Sequence, residues 1–367
     1  MTTIYLVRHA EAEGNLYRIA QGQGNSNLTE RGWRQVRALE ARFREIPVDA
    51  VYSSDLYRTC ATASAVYKAK GLPLRRRADL REIGVGCWEH QTWGEIYRTH
   101  PLQMEYFSHK PSAWSVEGGE APAAVLERVR RAVQEIAAEN EGRTVAVFSH
   151  GYAIRLLLGW LQGCELDDLD KTPTGENTAV SCLEWEDGAL RVTFRDDTAH
   201  LKTAEFLANE KGFKRAYALE PGLWFSPMET EEEKLFFTSL VERLWAESGE
   251  KRTFSRETLL SGTDGRTTLL GYLREKPVGA VQVDAKTGWL SLACIQEDHR
   301  KRGFGVQLVG QAVQHTRRSG GQTLRVALSR GSAALQFFAD CGFVLRETAE
   351  DGRLVLEKDI SFHPEFL

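Results

Sequence analysis

Two short apolar runs end in histidine. Ile4-Tyr5-Leu6-Val7 leads into Arg8-His9-Ala10-Glu11, and Val145-Ala146-Val147-Phe148 leads into Ser149-His150-Gly151. A neutral imidazole can attack phosphorus and carry the phosphoryl group as phosphohistidine. A phosphate ester repels nucleophiles through its own charge, so such a site needs fixed positive groups around the transferring oxygens. Arg8 offers a planar fork for two of those oxygens, and a second, protonated imidazole can hold the others. A carboxylic acid must then protonate the departing oxygen.

A second segment, Arg300-Lys301-Arg302-Gly303-Phe304-Gly305, follows the apolar run Leu290 to Ile295 and precedes a helical stripe of Val306, Val309 and Val313. A glycine loop that opens a helix exposes backbone N–H groups to a pyrophosphate, and the helix dipole adds attraction. Gly303 and Gly305 allow a close approach that a side chain would block. By itself such a loop is equally well an ordinary surface turn.

The elements that must position these groups follow from periodicity. Strands are expected at 3–7, 48–52, 144–149 and 179–185, with another near 190–195. Thr29 caps an expected helix carrying Trp33, Val36, Leu39 and Phe43, and residues 121–138 place Val125, Val129, Val133 and Ile136 at helical spacing. Alternating strand and helix predicts an α/β sandwich on a largely parallel sheet. In such a sheet the crevice beyond the strands' carboxyl ends takes ligands, and both histidines would lie there if their strands are neighbours. After His200-Leu201 the pattern becomes polar. We expect a first domain over 1–205, a linker over 206–216 and a second domain over 217–367. The second domain reads as a helix near 229–246, strands at 267–274, 278–284 and 288–295, a helix from about 303 to 318, a strand at 323–328, a helix at 332–341 and a strand near 353–358.

Composition sets the outer bounds. At 367 residues, two cores are expected. The net charge of −4 argues against a nucleic-acid or membrane binder. No apolar run approaches the ~20 residues of a membrane span, and no leader segment is visible. The six cysteines are scattered without metal-ligand spacing, so they read as buried thiols of a reducing cytoplasm and no metal is expected.

With these residues in view, the first half resembles the histidine phosphatase, or phosphoglycerate-mutase-like, superfamily. The resemblance rests on Val7-Arg8-His9-Ala10-Glu11 with Asn15, on Gln21-Gly22, Leu28-Thr29-Glu30-Arg31-Gly32 and Ser53-Ser54-Asp55-Leu56-Tyr57-Arg58-Thr59. It continues through Leu80-Arg81-Glu82-Ile83 with Gly86-Cys87-Trp88-Glu89, through Gly118-Gly119-Glu120 and through Ser149-His150-Gly151. It implies a three-layer α/β/α sandwich with His9 as phosphoacceptor, Glu82 as general acid and then base, and His150 completing the catalytic set. Arg8 and Arg58 would hold phosphate with His150, while Asn15 and Gln21 line the pocket edge. Read without the family, Arg58 could be a surface helix residue and Glu82 an ion-pair partner. His200 is assigned no catalytic role. Ala10, Asn27 and His90 depart from the family pattern, where Gly, Pro and Gly are common; His90 is expected to alter the pocket rim.

The second half resembles the GNAT-type N-acetyltransferases, an α+β fold. The loop 300–305 and Ala334-Leu335-Gln336-Phe337-Phe338-Ala339-Asp340-Cys341-Gly342-Phe343 carry that resemblance. It implies acetyl-CoA held at Ile295, Arg300, Lys301, Arg302, Gly303, Phe304 and Gly305, chiefly by backbone amides at 301–306. Phe338 stands where many members have a tyrosine that protonates the departing thiolate. The joint expectation is a phosphatase acting on a small phosphate ester, fused to an acetyltransferase acting on a small amine. A phosphoglycerate-type mutase in the first half, or a weakly catalytic CoA-binding regulatory domain in the second, are the alternatives. Oligomeric state is not legible.

Overall fold

The computed structural model describes residues 1–208, 210, 222–248 and 265–367. Most of the expected linker, 206–216, lies outside the described residues.

The first sheet contains β1 (Thr2–Arg8), β2 (Ala50–Ser54), β3 (Leu74–Arg77), β4 (Thr144–Ser149), β5 (Val180–Glu186) and β6 (Ala189–Asp197), in the order β3-β2-β4-β1-β5-β6. Parallel pairing joins β3, β2, β4 and β1, whereas β5 and β6 are antiparallel. The sheet is thus largely parallel with an antiparallel edge, where Asp187-Gly188, both at positive φ, close the β5–β6 hairpin. Side chains alternate along β1. Ile4 and Leu6 enter one core with Val125, Val129 and Val133 of a helix over Pro122–Glu139 and Leu157 of another over Gly151–Leu161. Val7 enters the opposite core with Val36, Leu39 and Phe43 of a helix over Glu30–Phe43 and Ala61 of one over Tyr57–Lys70. Helices on both faces make the three-layer sandwich. In chain order the helices of this half are α1 (Glu13–Tyr17), α2 (Glu30–Phe43), α3 (Tyr57–Lys70), α4 (Trp93–Thr99), α5 (Pro101–His109), α6 (Pro122–Glu139), α7 (Gly151–Leu161) and α8 (Ala204–Ala208). Thr29 caps α2 as expected, accepting from the Gly32 amide at 3.0 Å.

The second sheet contains β7 (Trp224–Pro227), β8 (Arg266–Leu273), β9 (Lys276–Asp284), β10 (Trp289–Ile295), β11 (Thr323–Leu328), β12 (Val344–Thr348) and β13 (Leu354–Asp359). Their order is β12-β13-β11-β10-β9-β8-β7. Helices α9 (Glu231–Ser248), α10 (Gly305–Arg318) and α11 (Ala334–Asp340) complete this α+β unit. Strand β12 escaped sequence reading because it is exposed throughout and has no apolar alternation. Strands β10 and β11 are parallel and pair only at Trp289 and Arg325, so they diverge toward Ile295 and Leu328. Among the described residues, no helix is long and apolar enough to cross a membrane.

The two units share a core. Tyr17 of α1 is 2% exposed and packs with Val309, Ala312 and Val313 of α10, inside the second unit's hydrophobic cluster. The C-terminal residues run back over α2 and α3, where Phe366 meets Trp33 and Tyr57.

Candidate functional site

β1 and β4 are neighbours, in a register that sets Arg8 opposite Ser149. Each strand therefore delivers the next residue, His9 or His150, to the same end of the sheet. The imidazole centroids lie 5.3 Å apart at an interplanar angle of 59°. His9 is held by its own backbone: its amide donates to Ser149 O at 3.0 Å, and its Nδ1 lies 2.7 Å from Ala10 O. Donation from Nδ1–H to that carbonyl leaves the Nε2 lone pair as the nucleophile. Burial first, then the Arg58 and Arg8 charges, hold the His9 pKa well below the usual imidazole value. The ring is therefore neutral, as attack requires.

His150 differs from expectation in one respect. Burial and the neighbouring Arg58 charge push its pKa far down too, so the ring is neutral rather than protonated. Its Nε2 lies 2.8 Å from Ser54 Oγ, and its buried Nδ1 has no hydrogen-bond partner. With the Ser54 hydroxyl donating to Nε2, the tautomer carries its proton on Nδ1. An orphaned buried donor is costly, and a bound anion would relieve it.

Arg58 is 1% exposed, so it is not a surface residue. Its Nη1 donates to Gly24 O at 2.9 Å and its Nη2 to Gly22 O at 2.9 Å, while the buried Nε has no partner. Burial lowers its pKa to about 10, still charged at neutral pH. Arg8 donates Nη1 to Gly175 O. Glu82 lies at the start of α7, immediately after His150: Oε2 accepts from the Tyr152 amide at 3.1 Å and Oε1 from the Ala153 amide at 3.0 Å. Asn15 accepts from the Ala12 amide at 3.0 Å. The Gln21 side chain rests on Gly14, and its carbonyl faces Arg58 Nη2 at 3.5 Å. Arg8, His9, Arg58, Glu82 and His150 are thus brought together, with Asn15 and Gln21 at the edge.

Several positioning residues escaped sequence reading. Asn177 Nδ2 donates to His9 O at 3.0 Å and approaches Asn15 Oδ1 at 3.4 Å. Arg128, paired with Glu120, donates to Glu82 O at 2.9 Å. Glu89 accepts from the Gln23 amide at 2.8 Å and the Gly24 amide at 3.2 Å, fixing the loop that faces Arg58. Glu89 and Glu120 left a trace, in the Trp-Glu pair and the Gly-Gly-Glu segment already noted. His90 sits at φ 65°, which explains why Gly is common there. His200 is buried, 3.0 Å from Thr178 Oγ1 and 3.3 Å from Arg42 Nη1.

In the second unit, Lys301 at φ 59° and Gly303 at φ 80° turn the chain into α10, at the open end of the β10–β11 wedge. A turn that opens a helix presents backbone N–H groups and the positive end of the helix dipole, which suit an anion. Arg300 is otherwise engaged: its Nε donates to Ile295 O at 2.9 Å and its Nη1 pairs with Glu247 at 2.7 Å. Phe304 is a core residue, 2% exposed, beneath the Arg302 guanidinium at 5.2 Å. Gly305 faces Phe337. Phe338 is buried against Phe337 and Phe343. Among the described residues, no group of three or more His, Cys, Asp or Glu could hold a metal ion.

Residues 4–198 match the histidine phosphatase superfamily (branch 1), and residues 221–360 match the acetyltransferase (GNAT) domain. The chain belongs to the histidine phosphatase superfamily and carries a GNAT domain behind it. Over 201 residues it is 32% identical to phosphoserine phosphatase 1 of Hydrogenobacter thermophilus, covering 55% of this chain and 95% of that protein. It is 37% identical over 158 residues to the bifunctional protein Rv2228c of Mycobacterium tuberculosis, covering 43% of each chain. Among solved structures, YhfR of Bacillus stearothermophilus superposes with a TM-score of 0.54 at 32% identity, over 55% of this chain and all of that one.

Proposed function

We propose that this chain hydrolyses small phosphate monoesters at His9 and that its GNAT domain acetylates a small amine from acetyl-CoA, with residues 206–216 joining the two. The observation that carries the first half is the convergence of two imidazoles 5.3 Å apart with Arg8, Arg58 and Glu82. His9 Nε2 attacks phosphorus, and the bond to the ester oxygen breaks. Arg8, Arg58 Nε and His150 Nδ1–H take the charge on the non-bridging oxygens. Glu82 gives its proton to the leaving alkoxide, then takes one from the water that cleaves phosphohistidine, releasing phosphate and restoring His9. No step calls for a metal, so activity is expected to survive EDTA.

Hydrolysis is favoured over the mutase reading because the motifs resemble the phosphatase branch and the first half has little room for an extra lid. The relationship to a phosphoserine phosphatase makes a phosphorylated amino acid a suitable first substrate, and it carries both a phosphate and an amine. Residues 301–306 would hold acetyl-CoA, which supplies the activated acetyl group. One observation favours the alternative of a CoA-binding regulatory domain. At the Phe338 position a phenyl ring is buried among aromatics, with no hydroxyl to protonate a thiolate. The six free cysteines suit a reducing cytoplasm.

His9→Ala is expected to reduce hydrolysis of p-nitrophenyl phosphate by at least ~10³-fold and to abolish acid-labile 32P labelling of the protein. Labelling that persists in this variant excludes His9 as the acceptor. Product analysis with phosphoserine and acetyl-CoA together tests the second half: an N-acetyl product supports transfer, and its absence across an amine screen favours the regulatory alternative.

A further inference from the structure

Helix α10 begins at the loop 300–305, yet one of its faces packs on the first unit. Gly310, Gln314 and Arg317 lie at i, i+4 and i+7 and form a single stripe. A Cβ on Gly310 would stand 2.5 Å from both Cβ and Cγ of Tyr17. Gln314 Nε2 donates to His90 O at 3.2 Å. Arg317 Nη1 pairs with the buried Glu13 carboxylate at 3.0 Å.

Each contact leads to a wall of the phosphate pocket. Tyr17 and Glu13 bound α1, which carries Asn15; Asn15 meets Asn177 at 3.4 Å, and Asn177 holds the His9 carbonyl at 3.0 Å. His90 follows Glu89, whose carboxylate fixes the amides of Gln23 and Gly24. The carbonyls of that same loop, Gly22 and Gly24, hold both Arg58 Nη groups at 2.9 Å. Two of the departures from the family pattern fall on this seam. Asn27 Nδ2 donates to Ser361 O at 2.8 Å, and His90 supplies the carbonyl taken by Gln314.

Resting on the phosphatase reading, we infer that Gly310 and Gln314 of the GNAT domain are positioning residues of the phosphatase, setting the nucleophile segment and the Arg58 loop against each other. The GNAT domain is then a working wall of the first active site, whatever its own chemistry.

The test uses the full-length protein with Gln314→Leu, Gln314→Lys and Gly310→Ala. It measures kcat and KM for p-nitrophenyl phosphate, orthovanadate Kd, and thermal midpoint. Gln314→Leu is expected to lower kcat/KM about 5-fold and weaken vanadate by a similar factor; Gly310→Ala is expected to cost about 10-fold or more in both. Gln314→Lys, which keeps a donor, restores values near wild type. Kinetic constants and vanadate affinity unchanged in both Gln314→Leu and Gly310→Ala overturn the inference, even if the midpoint falls, because that result marks a purely structural seam. The imidazole 15N resonances of His9 and His150 report pocket geometry without turnover. Displaced resonances in a protein that lacks hydrolysis would fault the phosphatase reading alone; undisplaced ones would fault the inference.

Discussion

Gly151 and Arg8 meet so closely that a Cβ on the glycine would stand 3.0 Å from both Cζ and Nε of the guanidinium. The glycine opens α7, so the arginine lies over the helix start where an anion is attracted. Gly151→Ala should push Arg8 from this seat. We expect kcat/KM for p-nitrophenyl phosphate to fall about 10-fold to 100-fold with little change in folding, since misplacement near 1 Å has costs of that order. Steady-state kinetics beside a melting curve decide it.

Glu82→Gln should separate acid catalysis from phosphoryl transfer. An alkyl phosphate needs its leaving oxygen protonated, and the loss should be about 10²- to 10⁴-fold. p-Nitrophenolate leaves without help, so the same variant should lose far less on that ester. Equal losses on both esters would assign Glu82 a purely architectural role at the α7 amides.

His200 makes a stability prediction. Burial first, and then the Arg42 charge, lower its pKa from 6.5 to about 4. The unfolded chain therefore binds a proton between those values that the folded chain refuses, and stability falls as pH drops through this window. A gap of that size corresponds to up to about 3 kcal/mol. His9 and His150 act in the same direction. Urea unfolding from pH 7 to pH 4 should show a shallower loss in His200→Gln than in wild type.

Gly303 occupies the left-handed region at φ 80°. A β-branched residue is strained there and covers the backbone amides that would face a pyrophosphate. Gly303→Val should weaken acetyl-CoA at least 10-fold by calorimetry. Undiminished affinity would move the binding site off this loop.

Much of this was legible in the residues. Arg8-His9 and Ser149-His150 each follow a strand of near-continuous apolar residues, and the β1–β4 pairing brings those strand ends together. Sequence could not show that His150 is neutral, because its charge is set by burial and by Arg58, far away in the chain. Asn177 and Arg128 were invisible for a related reason: both act through backbone carbonyls, of His9 and Glu82, and a contact to a carbonyl imposes no spacing. Arg300 read as a phosphate ligand from its place in the loop, but Glu247 of α9 competes for its charge across a tertiary contact. The α10 stripe was read correctly on its apolar side. Its Gly310, Gln314 and Arg317 side carried no signal, since that face meets another fold rather than water.

The placement of Tyr17 decides how this molecule can be taken apart. Tyr17 and Ile19 belong to the first stretch of chain but are buried in the partner fold, with Leu16 half-buried against it. A gene shortened after the first fold would synthesise a protein with an oily blister beside its nucleophile, prone to stick to its neighbours. Cutting and recombining the halves by exchange with free-standing relatives would need that blister repainted first, so the fusion has become hard to reverse.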